Sequence, residues 1–226
     1  MSTIRKTKLF LSFAGFIIII VSTAAHTIAF RESPLKNEMN LNDLQKNDIK
    51  VKYIEHSSSW DKTFYEKFAS DILGAAKECD YVFLVQPTEK IYFNTGVILQ
   101  QVRIIRQFSS KISDEYIWIH NGLNCSLDYR DGCIVLSGMD RSFMQEDCEY
   151  LVFCEKAPIN KYSQKKVYRE AEEMWIGCFN VSRDSTKTVE SEMADYDSSI
   201  EYYSDGEDIL KCYMKAKHQL MKRYYY

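Results

Sequence analysis

Proline and glycine are scarce, three and eight in a chain of 226 residues, and this excludes collagenous, Pro-rich and Gly-rich low-complexity architectures. Charge of one sign is also missing. A formal net charge of −3 gives no overall basic field, so nucleic acid is not an expected partner. Catalytic and metal-binding signatures are absent as well: there is no G-x-S-x-G, H-E-x-x-H, Walker A loop, G-x-G-x-x-G or C-x-x-C, and no Cys/His group with zinc-ligand spacing. No catalytic residue, metal site or cofactor is therefore assigned. Four histidines are present; His26 lies in an apolar segment and His56, His120 and His218 are scattered. What the chain does have is 46% hydrophobic residues, with sixteen Tyr and twelve Phe, enough for one packed domain.

The N-terminus carries the clearest signal. Arg5, Lys6 and Lys8 precede an uncharged stretch, LFLSFAGFIIIIVSTAAHTIAF, over residues 9–30. Its length suits a membrane-spanning helix, and the basic flank places residues 1–8 in the cytoplasm by the positive-inside rule. The segment reads as a signal-anchor, with a cleaved signal peptide as the alternative, because Thr23 and Ala25 or Thr27 and Ala29 could form a cleavage site. Either reading delivers the remaining chain outside, anchored in the cell membrane or secreted. Residues 31–50 are polar and predict a tether, leaving 51–226 as the extracytoplasmic domain.

An extracytoplasmic location permits disulfides among the seven cysteines, Cys79, Cys125, Cys133, Cys148, Cys154, Cys178 and Cys212. The odd number leaves at least one outside any intrachain pair. Cys148 and Cys154 share a strand-like run, which would hold them about 20 Å apart and forbids a bond between them. Burial as small apolar residues competes with disulfide formation for all seven.

The domain opens with a predicted helix after Ser58 and Ser59, with Asp61 in capping-box spacing and Trp60, Phe64, Phe68, Ile72, Ala75, Ala76 and Cys79 on one face. Strand patterns follow. DYVFLVQP ends at Pro87, and TGVILQQVRIIRQF changes phase midway, which predicts a bulge. In EYIWIHNG, Ile117 and Ile119 face one side, with Tyr116, Trp118 and His120 on the other. Asp131-Gly132 predicts a two-residue hairpin pairing Arg130 with Cys133, and CEYLVFCEK is the closing strand. The expected fold is mainly β with flanking helices: a small five- or six-stranded antiparallel barrel or sandwich over 80–156, then a helical part over 160–226.

The succession of ECDYVFLVQPTEKIYF, GVILQQVRIIRQF, EYIWIHNG, a hairpin and EDCEYLVFCEK resembles the OB-fold barrel of netrin-like domains and tissue inhibitors of metalloproteinases. The resemblance spans Cys79 to Glu155, about one third of the chain. It implies a barrel used for binding. Protease inhibition is not implied, because those inhibitors use a cysteine at the mature N-terminus and this chain has none before Cys79.

Beyond the barrel, a helix is predicted over Tyr162 to Met174, then a short strand through Trp175, Ile176 and Phe179. Residues 184–208, with nine acidic residues against one Lys, read as a solvated loop that includes Asp195 and Asp197; Glu172 and Glu173 likewise read as a solvated face. A last helix from Glu207 carries Ile209, Leu210, Tyr213, Met214, Lys217, Leu220 and Met221 at helical spacing. It docks on the domain or lies on the membrane surface. Asn124-Cys125-Ser126 and Asn180-Val181-Ser182 match the glycosylation sequon.

Two functions are expected from these features: a binding module for an extracellular protein, peptide or glycan, with Tyr116, Trp118 and His120 as its surface, or a hydrolase whose active site follows no motif. A helix laid over that surface would remove the first. The sequence assigns no oligomeric state.

Overall fold

Strand alternation dominates the chain from Tyr81 onward, and in the computed structural model these strands close into a barrel. The structure describes residues 38–52, 62–94, 97–120, 122, 124–128, 133–137, 141–156, 165–171, 174, 176–189, 193–204 and 206–226. The apolar segment 9–30 lies outside these residues. Among the described residues no helix is long and apolar enough to cross a membrane.

Five strands make the barrel: β3 (Tyr81–Asn94), β4 (Val97–Gln107), β5 (Tyr116–His120), β8 (Tyr150–Lys156) and β9 (Val167–Glu170). β3 pairs antiparallel with β4, β4 with β5, β8 with β3 and β9 with β8, while β5 and β9 run parallel and close the ring. This closed, mixed five-stranded barrel is compatible with an OB-like fold. The expected bulge is present: Leu84 faces Arg106 but Val85 faces Ile104, which leaves Ile105 as the extra residue. Pro87 does not end its strand. β3 continues to Asn94, with a second register shift between Pro87 and Ile91.

Alternation assigns the two faces of the barrel wall. Phe83, Val85, Val102, Ile117, Ile119, Tyr150, Val152, Cys154 and Tyr168 point inward and form one buried cluster with Met144, Cys148 and Cys178. Gln100 also sits among them, fully buried. Its amide donates to Met144 O at 3.0 Å and accepts from Met144 N at 2.9 Å, so one side chain satisfies both backbone groups of Met144. Val82, Leu84, Leu151 and Phe153 point outward, where water would be unfavourable, and two helices cover them.

These helices are α2 (Lys62–Glu78) and α3 (Glu207–Tyr224). α2 buries Tyr65, Ala69, Ile72 and Ala76. Of the predicted face, Ile72, Ala76 and Cys79 are buried and Phe68 and Ala75 pack against the core, whereas Phe64 is exposed and Tyr65 and Ala69 are buried in addition. Ser58, Ser59, Trp60 and Asp61 lie outside the described residues. α3 begins at Glu207 as expected and buries Tyr213, Ala216, Lys217, Leu220 and Met221 against the domain.

Four further readings are corrected. The predicted tether, 31–50, is folded from residue 38 onward: β1 (Glu38–Asn40), α1 (Leu41–Leu44) and β2 (Ile49–Lys52) join the domain, with Leu41, Leu44, Ile49 and Val51 buried. The hairpin of β6 (Asn124–Asp128) and β7 (Cys133–Ser137) pairs Asp128, not Arg130, with Cys133. The barrel does not end at residue 156. Instead of a helix over 162–174, β9 fills the gap between β5 and β8, whose edge groups need partners. The chain then returns as β10 (Cys178–Asn180) beside β8, and the Gly177 carbonyl accepts from Phe153 N at 2.7 Å. A Cβ on Gly177 would stand 2.7 Å from Phe153 O, too close for any other residue without a shift.

The acidic stretch is likewise folded. It contains β11 (Thr186–Thr188), β12 (Met193–Asp195) and β13 (Tyr202–Ser204), with Tyr202 and Tyr203 fully buried. β12 pairs with β2, and β11 pairs in parallel with β13.

Candidate functional site

Because Ile117 and Ile119 point into the barrel, Tyr116, Trp118 and His120 must point out. Tyr116 is 48% exposed, whereas Trp118 and His120 are partly buried. Strand register completes the surface. β4 sets Arg103 opposite Tyr116 and Gln101 opposite Trp118, and β9 sets Val167 opposite Trp118 and Arg169 opposite His120. The packed face of α2 is instead engaged with Val82, Leu84, Leu151 and Phe153, on the outer sector formed by β3 and β8.

Trp118 gathers a group that the sequence reading missed. Tyr92 lies edge-on to it, with centroids 6.3 Å apart and planes at 73°. Lys165 places Nζ 4.3 Å from the Trp118 centroid and 4.8 Å from that of Tyr92, while donating to Glu38 Oε1 at 2.8 Å. The hydrogen bond from Lys165, reinforced by its charge, holds the Glu38 carboxyl below its ordinary range. Period-two alternation in β3 could have placed Tyr92 outward, but nothing local in sequence could bring Glu38 and Lys165 beside it.

His120 differs from its neighbours. Its Nε2 is enclosed without a hydrogen-bond partner among the described residues, and burial lowers its pKa, opposed by the charge of Glu170 and aided by Arg141 and Arg169. The neutral ring fits this position.

A second polar group lies inside. Arg141 is almost fully buried and grips Glu170 with both terminal nitrogens, at 2.5 and 2.8 Å; Gly177 N also donates to Glu170 at 2.8 Å. Burial opposes the Arg141 charge, but Glu170 outweighs it and the guanidinium stays protonated. Beside it is a cavity of about 20 Å³, touched by Arg141, Tyr150, Cys178, Asn180 and Glu201, with room for one water. Nearby, fully buried Lys217 donates to Glu201 at 2.7 Å and to Arg183 O, and pairs with Asp184 at 2.8 Å. Glu201 also accepts from Asn180 N at 2.5 Å and from the Tyr213 hydroxyl.

Burial pushes the thiols of Cys148, Cys154 and Cys178 above their ordinary range, and a protonated thiol is a poor nucleophile. Cys178 faces the Met144 sulfur at 3.5 Å and Cys148 donates to Asp147 at 3.5 Å. Cys79 and Cys133 are buried and Cys212 is half-buried, as small apolar residues would be. The Cys125 side chain lies outside the described residues. His218 sits at the surface, 3.3 Å from Asp184. Asp195 pairs with Lys50 at 2.5 Å and is exposed; Glu172 and Glu173 lie outside the described residues. Among the described residues no group of three His, Cys, Asp or Glu is placed to hold a metal ion. Asn180 is buried, donating to Tyr150 Oη at 3.2 Å and accepting from Ser182 N and Arg183 N, so the folded chain does not present it to a glycosyl donor.

Comparison with protein-family models, with curated proteins and with solved structures finds no match to this chain.

Proposed function

We propose that the protein is a binding module whose ligand face is the outer side of β4 and β5, centred on Tyr116 and Trp118. The observation that carries this reading is the large exposure of Tyr116 on a wall strand beside Trp118, with Arg103 and Gln101 in register. Aromatic rings next to hydrogen-bonding side chains supply contact area and orientation together. OB-like barrels also bind ligands on the face of their second and third strands, the positions held by β4 and β5. The netrin-like resemblance is retained within this proposal, supported by a helix ahead of a closed barrel, and what it contributes is a barrel used for binding. The apolar segment 9–30 would anchor the module outside the cell membrane, or release it if cleaved.

A protein, peptide or glycan ligand is expected. A hydrolase would need a base beside an activated nucleophile, and the raised thiols of Cys148, Cys154 and Cys178 do not supply one. The test is an NMR titration of the full chain with the Trp118 indole as reporter, against panels of neutral oligosaccharides and peptides. A ligand should shift this resonance, and Tyr116→Ala should weaken its binding about tenfold, the scale of an aromatic anchor. Binding that persists unchanged in both Tyr116→Ala and Trp118→Ala, followed by titration calorimetry because the second variant lacks the reporter ring, would overturn the assignment.

A further inference from the structure

The Trp118 side of this face is built as an ammonium site. Three of its walls are fixed by main-chain pairing: Glu38 on β1 stands opposite Tyr92 on β3, and Trp118 stands on β5. Two rings at 73° leave a notch whose π faces attract a cation, and the Glu38 carboxylate closes it. The ammonium now held there, from Lys165, belongs to a fourth segment that leads into β9.

We propose that Tyr92, Trp118 and Glu38 form a pocket for a lysine side chain of a partner peptide, with Lys165 as its built-in competitor. This rests on the binding face proposed above and names the chemistry it selects. Two observations favour lysine over a quaternary ammonium such as a choline headgroup. The occupant already present is a primary ammonium on a lysine side chain of a polypeptide, the form in which a peptide would deliver one. It also donates to Glu38 at 2.8 Å, a bond that a quaternary ammonium cannot make. A partner lysine would displace Lys165 and inherit the same contacts, so the tethered side chain raises the threshold for binding without blocking it.

The experiment opens the pocket by Lys165→Ala in the full chain and follows the Trp118 indole resonance, assigned by its loss in Trp118→Phe. n-Butylammonium, which reproduces the end of a lysine side chain, should shift it saturably in Lys165→Ala, with a midpoint at least about tenfold lower than in the unaltered chain, where Lys165 competes. Tetramethylammonium should bind more weakly, and adding Glu38→Gln should abolish that preference. The peptide acetyl-Gly-Lys-Gly-amide should follow n-butylammonium, and its lysine-acetylated form should not bind. If Lys165→Ala does not fold, the unaltered chain is titrated with n-butylammonium to high concentration against sodium at equal ionic strength. A specific shift of Trp118 is then required.

Tetramethylammonium or phosphatidylcholine vesicles binding more tightly than the lysine peptide would overturn the lysine assignment in favour of a headgroup site. No ammonium effect, with neutral ligands still shifting Trp118 and losing affinity in Tyr116→Ala, would remove the ammonium pocket and leave the binding face standing. Silence of Trp118 toward every ligand would remove both.

Discussion

Lys217→Met tests the interior network most directly. Lys217 is fully buried, and methionine would replace its stem at similar volume, so little packing is lost. What remains is the Glu201 carboxylate, whose side chain is only 7% exposed, stripped of the cation 2.7 Å away. The hydrogen bonds from Asn180 N and Tyr213 do not neutralise it. Removing one partner of a buried ion pair costs about 3–5 kcal/mol, a third or more of the stability of an ordinary domain. In urea the midpoint for the full chain should fall by about 2 M.

The pH dependence gives a second readout. Burial already raises the Glu201 pKa above its ordinary value, against the opposing pull of Lys217. A raised folded pKa contributes stability that is full below the unfolded pKa and is lost as pH rises through the folded value. Without Lys217 the pKa rises further, so the penalty should be largest near pH 7 and shrink as the pH approaches the acid range. Asp184 acts in the opposite direction. Partial burial would raise it, but the hydrogen bond and charge of Lys217, with His218, hold it low, and its contribution disappears on acidification. Both effects narrow the gap between variant and parent at low pH. Adding Glu201→Gln should recover part of the loss at pH 7, because the amide oxygen can still accept from Asn180 and Tyr213. A penalty under about 1 kcal/mol, or one equal at pH 5 and pH 7, would refute the reasoning.

Two further outcomes follow from the packing. Phe153→Ala should destabilise by about 3–5 kcal/mol in denaturant melts, since the ring is fully buried between Phe179 and Tyr224; an unchanged midpoint would contradict the double-sided burial of β8. Cys148, Cys154 and Cys178 should resist thiol reagents at pH 8 until the chain unfolds, as read by mass spectrometry of labelled peptides. Rapid labelling of any of the three in native buffer would show an open barrel.

The barrel wall was readable from sequence because both of its faces obey a period of two. Ile117 and Ile119 mark the inside, and CEYLVFCEK is apolar on both faces, a pattern that requires a covered outside, which α2 and α3 supply. The misread segments share a cause. VYRE lies in a stretch that also suits a helix, and only the unpaired edges of β5 and β8 decide for a strand. Counting acids in 184–208 hid the buried Tyr202-Tyr203 pair and an inward Glu201, since total charge carries no direction. Lys217 was correctly aligned with the apolar stripe of the last helix. Its burial depends on a carboxylate 16 residues away, which spacing within the helix cannot reveal. The candidate site was half legible: Tyr116, Trp118 and His120 follow from alternation, whereas Glu38, Tyr92 and Lys165 meet only through strand order.

The distribution of covering elements is the physical reason for placing the proposed binding face on β4 and β5. A closed barrel has one outer surface, and each apolar sector of it must be covered or remain in unfavourable contact with water. The apolar sector of β3 and β8 is consumed by α2 and α3, whose aromatic residues meet it through Phe153, Phe179, Tyr213 and Tyr224. Substitutions there should act on stability. The sector of β4 and β5 is patterned differently: Arg103 is exposed, Gln101 and Trp118 are half-buried, and Tyr116 projects to solvent. Among the described residues it is the Lys165 side chain that crosses Trp118, and a side chain can be displaced at far lower cost than a packed helix. Ligand exchange at that sector therefore leaves the core untouched, which is the physical condition for a surface that binds reversibly.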